Sequence, residues 1–169
     1  NGVLERCVTA VQAITENDCV DPPHEIGRFD DPMLSVLVDD LWSRTRSWGN
    51  ERWRHRVVQH LLRHLRAQAM LVKMRDTGTA ITLAEYLPLR RDSFGALFFF
   101  DLIDAAEMLD PYEHSDTIEW WSTLREHAAD IITWTNDIHS IAKDVVCGER
   151  FNLVSVLADI GWRSHYEHH

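Results

Sequence analysis

Apolar residues recur every three or four positions along most of this chain, and no run keeps the period of two that a strand would need. Residues 3–14 read as a short amphipathic helix. Residues 17–31 carry Pro22, Pro23 and Gly27 and read as a loop. Asp31-Pro32 then opens a helix with an acidic cap and a proline in the first turn, and Leu34, Leu37, Val38, Leu41 and Trp42 carry it to about Trp48. Gly49-Asn50 breaks the chain and caps the next helix. That helix extends to about Arg75 on a stripe of Trp53, Val57, Leu61, Leu65, Ala69 and Val72. Thr77-Gly78-Thr79 is a turn, and Thr82 with Glu85 has the spacing of a capping box. Pro88, Ser93 and Gly95 lie close enough together to predict a kink or break near Gly95. Helix resumes over 96–109, and Pro111 stops it. Ser115 caps a long helix from Asp116 to about Cys147, Gly148 ends that one, and a last helix covers 151–160. The expected fold is all-α, a helical bundle whose facing helices can enclose a cavity.

The 169 residues suffice for one domain with a real core, so 1–169 reads as a single helical domain. The longest apolar run, residues 96–100, is far too short to span a membrane, and no basic-then-apolar leader opens the chain. A soluble, cytoplasmic protein is expected. The net charge of −10, from 17 basic and 27 acidic residues, argues against nucleic acid or an anionic membrane as a main partner. Basic residues do cluster in the middle third: Arg44, Arg46, Arg52, Arg54, Arg56, Arg63, Arg66, Lys73 and Arg75 read as a solvated helix face between core positions. Cys7, Cys19 and Cys147 are odd in number, widely spaced and free of any CxxC, so neither a zinc site nor a disulfide framework is indicated. His168 and His169 are assigned no function.

Two short constellations carry candidate chemistry. The first is Asn136-Asp137-Ile138-His139-Ser140-Ile141-Ala142-Lys143-Asp144. It places an amide, a hydroxyl and a carboxylate at i, i+4 and i+8, on one helix face over two turns. Hard oxygen donors at that spacing suit a Mg²⁺ ion that also touches phosphate, and Lys143 adds a cation for phosphate oxygens. The alternative is an ordinary solvated face. Ile131, Ile132, Trp134, Ile138 and Ile141 weigh against it, since they imply a substantially buried helix whose polar oxygens need partners. The second constellation is Arg91 one turn before Gly95, at the expected helix break. A break frees backbone groups, Gly lets the backbone move, and Arg can hold a phosphate through two nitrogens. The plainer reading is a kinked helix with a surface arginine.

Together the two resemble the class I terpene synthases. Asn136, Ser140 and Asp144 match that family's NSE metal-binding pattern. Arg91, Phe94 and Gly95 match its diphosphate sensor, linker and effector, 45 residues upstream of Asn136. The stretches Leu41-Trp42-Ser43-Arg44, Glu85-Tyr86-Leu87-Pro88-Leu89-Arg90-Arg91 and Gly148-Glu149-Arg150-Phe151-Asn152-Leu153-Val154 look like the bacterial branch. The likeness runs from about residue 31 to 162.

The resemblance implies a cyclase that ionises a linear prenyl diphosphate, expected to be farnesyl diphosphate, with Mg²⁺ and closes the carbocation into a ring. Asn136, Ser140 and Asp144 would hold one Mg²⁺, Lys143 and Arg91 would contact the diphosphate, and Phe94 with Gly95 would couple its binding to ionisation. Phe94, Phe98, Phe99, Phe100 and Trp134 are candidates to face a cavity, where aromatic rings stabilise cations.

The chain departs from the family in two ways. The Asp-rich DDxxD motif is absent: Asp30-Asp31-Pro32-Met33-Leu34 and Asp39-Asp40-Leu41-Trp42-Ser43 both lack the final acid. Asp101, Asp104 and Glu107 form a carboxylate stripe but match the helix after the effector, so they are not taken as ligands. Asp144 stands where Glu is usual. The expectation is therefore the middle and later helices of a terpene synthase, with weak or no cyclase activity alone. Exposed apolar surface would drive self-association or docking of a complementary segment. Two alternatives stay open: a prenyl-diphosphate-binding remnant, and a non-catalytic helical assembly module.

Overall fold

Asn50 starts the first long helix as its sequence position requires, with its side-chain oxygen accepting from the Trp53 N–H at 2.9 Å. This helix, α1 (Glu51–Thr77), ends at Gly78, whose φ of 64° lets its N–H reach back to the last carbonyls. The computed structural model describes residues 40, 42–45, 47–109 and 118–166, and residues 42–45 are helical. The expected elements over 3–14, 17–31 and 31–39, the stops at Pro111 and Ser115, Cys7, Cys19 and the C-terminal histidines lie outside the described residues.

Four more helices follow: α2 (Leu83–Phe94), α3 (Ala96–Ala106), α4 (Ile118–Val146) and α5 (Leu153–Tyr166). The described part is all-α, and none of its helices is long and apolar enough to cross a membrane. Thr82 and Glu85 form the expected capping box of α2, each side chain accepting from the other residue's N–H, at 3.3 and 3.0 Å. Gly95 breaks α2 from α3 in a single residue with φ of 78°, a conformation that strains any residue bearing a Cβ. A Cβ there would also stand 3.0 Å from His64 Nδ1. Helix α3 stops at Ala106, short of the expected 109. Met108 takes a left-handed φ of 53°, and the Leu109 N–H returns to the Asp104 carbonyl at 2.8 Å. No glycine marks that turn, so composition did not reveal it. Gly148, with φ of 69°, ends α4 as expected. Helix α5 runs past the expected 160 to Tyr166.

Helix α1 lies along both α2 and α3. Its buried face is therefore wider than one stripe: Trp53, Val57, Val58, Leu62, Ala67, Leu71 and Met74 are buried, whereas Leu61, Leu65, Ala69 and Val72 are only half-buried. Trp53, Val57, Val58 and Leu62 pack on Ala105, with Phe98 and Leu102 against them. Leu71, Met74, Tyr86, Phe151 and Val156 join α1, α2 and α5. Ala96, Leu97 and Ala129 join α3 to α4, with Phe94 and Phe100 at the edge. Phe99 is 57% exposed and packs in none of these cores.

Helix α4 reverses the expected burial. Its buried residues are Arg125, Ala129, Asp130, Thr133 and Asp137. Leu124, Ile131, Ile138 and Val145, at seven-residue spacing, are 44%, 63%, 58% and 63% exposed. The apolar residues thus do not bury this helix: Ile131, Ile132 and Ile138 face outward, and Trp134 and Ile141 are half-buried. The neighbouring helices explain this. Helix α2 presents two arginines and a tyrosine and α5 a backbone amide, which meet acids of α4, whereas α3 presents two acids, which meet Arg125 of α4.

That matching is fullest between α1, α3 and α4. Arg125 donates to Asp104 at 2.5 Å, Asp101 at 2.6 Å and the Leu97 carbonyl at 3.2 Å. Arg56 donates to the same two acids at 2.9 and 3.3 Å, and His60 Nδ1 lies 2.5 Å from Asp101. Arg56 is therefore not on the solvated face assigned to it from sequence. The oxygens of Asp101 and Asp104 serve these partners, and Glu107 lies exposed at the end of α3.

Candidate functional site

Glu126, Asp130, Thr133, Asp137, Ser140 and Asp144 follow one another at alternating steps of four and three, which places them on one face of α4. That face meets α2 and the start of α5. Asp137, fully buried, is its centre. One of its oxygens accepts from Arg90 Nε and Nη2 at 2.9 and 2.6 Å. The other accepts from the Tyr86 hydroxyl and from the Leu153 N–H, the latter at 3.0 Å. Burial, and then the Asp137 carboxylate, push the Tyr86 hydroxyl well above the ordinary phenol range, so it stays a donor.

The three oxygen-bearing residues flank this centre. Asn136, largely exposed, offers Oδ1 to Arg90 Nη2 at 3.1 Å. Ser140 donates to Asp144 Oδ2 at 2.5 Å, and Asn152 Nδ2 donates to the same oxygen at 2.9 Å. Those two bonds, Ser140 first, hold the Asp144 carboxyl below its usual value. Asp144 Oδ1 has Lys143 Nζ at 3.8 Å, and the Lys143 side chain is 76% exposed. The trio thus occupies the α2–α4–α5 junction, with Asn136 bridged to α2 by Arg90.

Arg91 is at the same α2–α4 contact, about 9 Å along α4 from Asn136 if measured from its partner Asp130. It binds Asp130 through two nitrogens, each at 2.7 Å, and Glu126 through a third at 2.7 Å. The Asp130 bonds raise the guanidinium above its ordinary value. The expectation that Arg91 addresses an anion meets a guanidinium already forked onto carboxylates. A diphosphate would have to take the place of one of them. Phe94 lies beneath Arg90, whose guanidinium carbon is 5.5 Å from the ring centre.

Sequence reasoning gave no role to Tyr86, Arg90 and Asn152, which stood only within matching stretches, or to Asp137 within the first constellation. A signal existed for Asp137. Asp130, Asp137 and Asp144 repeat at seven, which marks one acidic line along the helix. The donor set fits a hard divalent cation such as Mg²⁺, with Asp144 Oδ1 and the Ser140 lone pairs as the most available atoms. Among the described residues no group of three or more His, Cys, Asp and Glu side chains is arranged to hold a metal, so a cation here would depend on the amide and hydroxyl as well.

Over residues 2–160 the sequence matches the model of terpene synthase family 2, C-terminal metal binding, and the chain belongs to that family. It is 25% identical over 142 residues to terpene cyclase 4 of Gibberella fujikuroi, covering 84% of this chain and 39% of that protein. It is 29% identical over 130 residues to the (+)-T-muurolol synthase of Roseiflexus castenholzii, described as (2E,6E)-farnesyl diphosphate cyclizing, covering 75% and 39%. To isoafricanol synthase of Streptomyces malaysiensis it is 29% identical over 165 residues, covering 90% and 40%. The chain spans about two fifths of the length of these curated relatives. The relatives include fungal proteins as well as bacterial ones.

Proposed function

We propose that this chain is the metal-binding portion of a cytoplasmic class I terpene cyclase of the bacterial type that uses Mg²⁺ to ionise a linear prenyl diphosphate, farnesyl diphosphate by preference, and cyclises the resulting cation. The observation that carries the reading is the junction of Asn136, Ser140 and Asp144 on α4 beside the two arginines of α2. The relatives named as farnesyl diphosphate cyclizing supply the substrate class. In this reading Asn136, Ser140 and Asp144 hold the cation, Lys143 and Arg91 meet the diphosphate oxygens, and Phe94 and Gly95 pass movement of Arg91 to the α2–α3 break. A bound Mg²⁺ would supply positive charge where negative charge builds on the departing diphosphate. With one oxygen-donor trio and no Asp-rich partner motif, weak or no turnover by this chain alone is expected.

Calorimetric titration of inorganic pyrophosphate into the chain, with and without Mg²⁺, tests the site. Binding is expected to require Mg²⁺ and to weaken by about tenfold or more in Asn136→Ala, since a lost metal contact is not replaced inside a fixed trio. Unchanged binding in that variant would remove Asn136 from the site. Incubation with ten-, fifteen- and twenty-carbon prenyl diphosphates, followed by product analysis, separates cyclisation from binding alone.

The outward stripe of α4 favours a second reading alongside the first, self-association of the chain. Leu124, Ile131, Ile138 and Val145 present a continuous apolar seam of the kind that two helices share. Sedimentation velocity is expected to show a mass that rises with concentration and returns to one chain in Ile131→Glu/Ile138→Glu. A wild-type chain that stays single at all concentrations would sink this reading.

A further inference from the structure

Asn152 stands at the start of α5, outside the residues given ligand roles, and is fully buried. A carboxamide has two N–H donors and one carbonyl acceptor. All are used here. Nδ2 donates to the Asp137 carbonyl at 2.8 Å and to Asp144 Oδ2 at 2.9 Å, with Ser140 Oγ further off at 3.4 Å. Oδ1 accepts from the Val154 N–H at 2.9 Å. The amide has one workable orientation, because flipping it would set its oxygen against a carbonyl and a carboxylate. We propose that Asn152 is a positioning residue that fixes the Asp144 carboxylate for the cation, an inference that rests on the reading of Asn136, Ser140 and Asp144 as ligands.

Asp144 Oδ2 receives both Ser140 and Asn152, which leaves Oδ1, with only the exposed Lys143 Nζ 3.8 Å away, as the oxygen that can meet an ion. The carboxylate is held by two bonds to one oxygen, one from its own helix and one from the start of α5. Partners that orient a ligand in this way are worth roughly ten- to a hundredfold in metal affinity. The competing role is a helix cap. The Val154 N–H bond to Oδ1 is what a cap residue makes, and Ser or Asp would make it equally well. The two N–H bonds point back to α4, and capping has no use for them.

That difference makes the two roles separable. Ser at position 152 keeps an acceptor for the cap but is too short to reach Asp144, whereas Ala keeps neither. Mg²⁺ is titrated at fixed inorganic pyrophosphate into the full chain and into both variants, and thermal midpoints are recorded in parallel. Asn152→Ser is expected to raise the Mg²⁺ concentration for half-saturation by about tenfold with a near-wild-type midpoint. Asn152→Ala is expected to show the same Mg²⁺ defect with a lower midpoint. Saturating Mg²⁺ should restore pyrophosphate binding in both. Wild-type Mg²⁺ dependence in Asn152→Ser, with a defect only where the midpoint falls, would show a cap and overturn the proposal alone. A wild-type chain with no Mg²⁺-dependent pyrophosphate binding would overturn the ligand reading, and this proposal with it.

Discussion

Asp137→Ala is expected to lower the free energy of unfolding by about 3 to 5 kcal/mol, the range for removing one partner of a buried ion pair. Four hydrogen bonds converge on this fully buried carboxylate. Without it, the Arg90 guanidinium keeps only Asn136 and the face of Phe94, with a side chain 17% exposed. The buried Tyr86 hydroxyl and the Leu153 N–H lose their acceptor, and each orphaned group costs about 1 to 3 kcal/mol in its own right. These costs overlap and do not add. Whole-domain stabilities are about 5 to 15 kcal/mol, so the variant is expected to sit near the edge of folding. Asp137→Asn keeps the shape and one acceptor oxygen, and its loss should be smaller. Urea unfolding followed by circular dichroism measures both. A loss under about 1 kcal/mol for Asp137→Ala would mean that water replaces the carboxylate and that α2, α4 and α5 do not depend on it.

The second large effect is expected at Arg125. This buried side chain ties Asp101 and Asp104 of α3 to α4 and lies over the Phe100 ring at 5.4 Å. Arg125→Met fills most of the volume but leaves two buried acids to Arg56 and His60 alone, at a cost of about 3 to 5 kcal/mol. Burial already raises the Asp104 carboxyl above 3.8 against the pull of Arg125 and Arg56. A raised carboxyl binds more protons in the folded state than in the unfolded one. Its contribution to stability is therefore complete below pH 3.8 and declines as pH rises through the folded value. Removing Arg125 raises that value further, so the variant should lose the most stability on the neutral side and recover part of it toward acid. Arg125→Met/Asp104→Leu should recover part on the neutral side, because an apolar pair replaces a buried acid left with Arg56 alone. Urea unfolding across the acid range reads each. A variant whose loss is the same at every pH would show that Asp104 keeps its charge without Arg125.

Local chemistry made much of the fold legible. Asn50, the Thr82–Glu85 pair, Gly95 and Gly148 stand where helices begin or end, because a cap or a left-handed turn is settled within four residues of chain. The end of α3 was not legible, since Met108 takes a left-handed turn that its composition does not announce. The width of the α1 core face was not legible either. It depends on α2 and α3 lying side by side along it, and one helix's periodicity carries no information about how many neighbours it has.

The oxygen trio sits between these cases. The spacing of Asn136, Ser140 and Asp144 follows from the helix alone, and the structure keeps Ser140 and Asp144 in direct contact. The burial of α4 does not come from its isoleucines. Their periodicity predicts an inward apolar face, yet Ile131 and Ile138 face outward and Asp130 and Asp137 lie inside. Apolarity predicts burial only when the neighbours are apolar too. Here α2 brings Arg90, Arg91 and Tyr86, and their charges and hydroxyl stabilise acids in the interior.

What the amino-acid sequence determined by itself was, among the described residues, the helices, most of their ends, and a line of oxygen donors two turns long, since each depends on residues within a few positions of one another. Tertiary structure alone decided which side of α4 is interior, that Arg91 rests on Asp130 and Glu126, and that Asp137 and Asn152 bind the donor face to α2 and α5. Those pairings include partners up to 51 residues apart along the chain, as for Tyr86 and Asp137. They form by matching charge and hydrogen bonds between helices, and helical periodicity encodes neither.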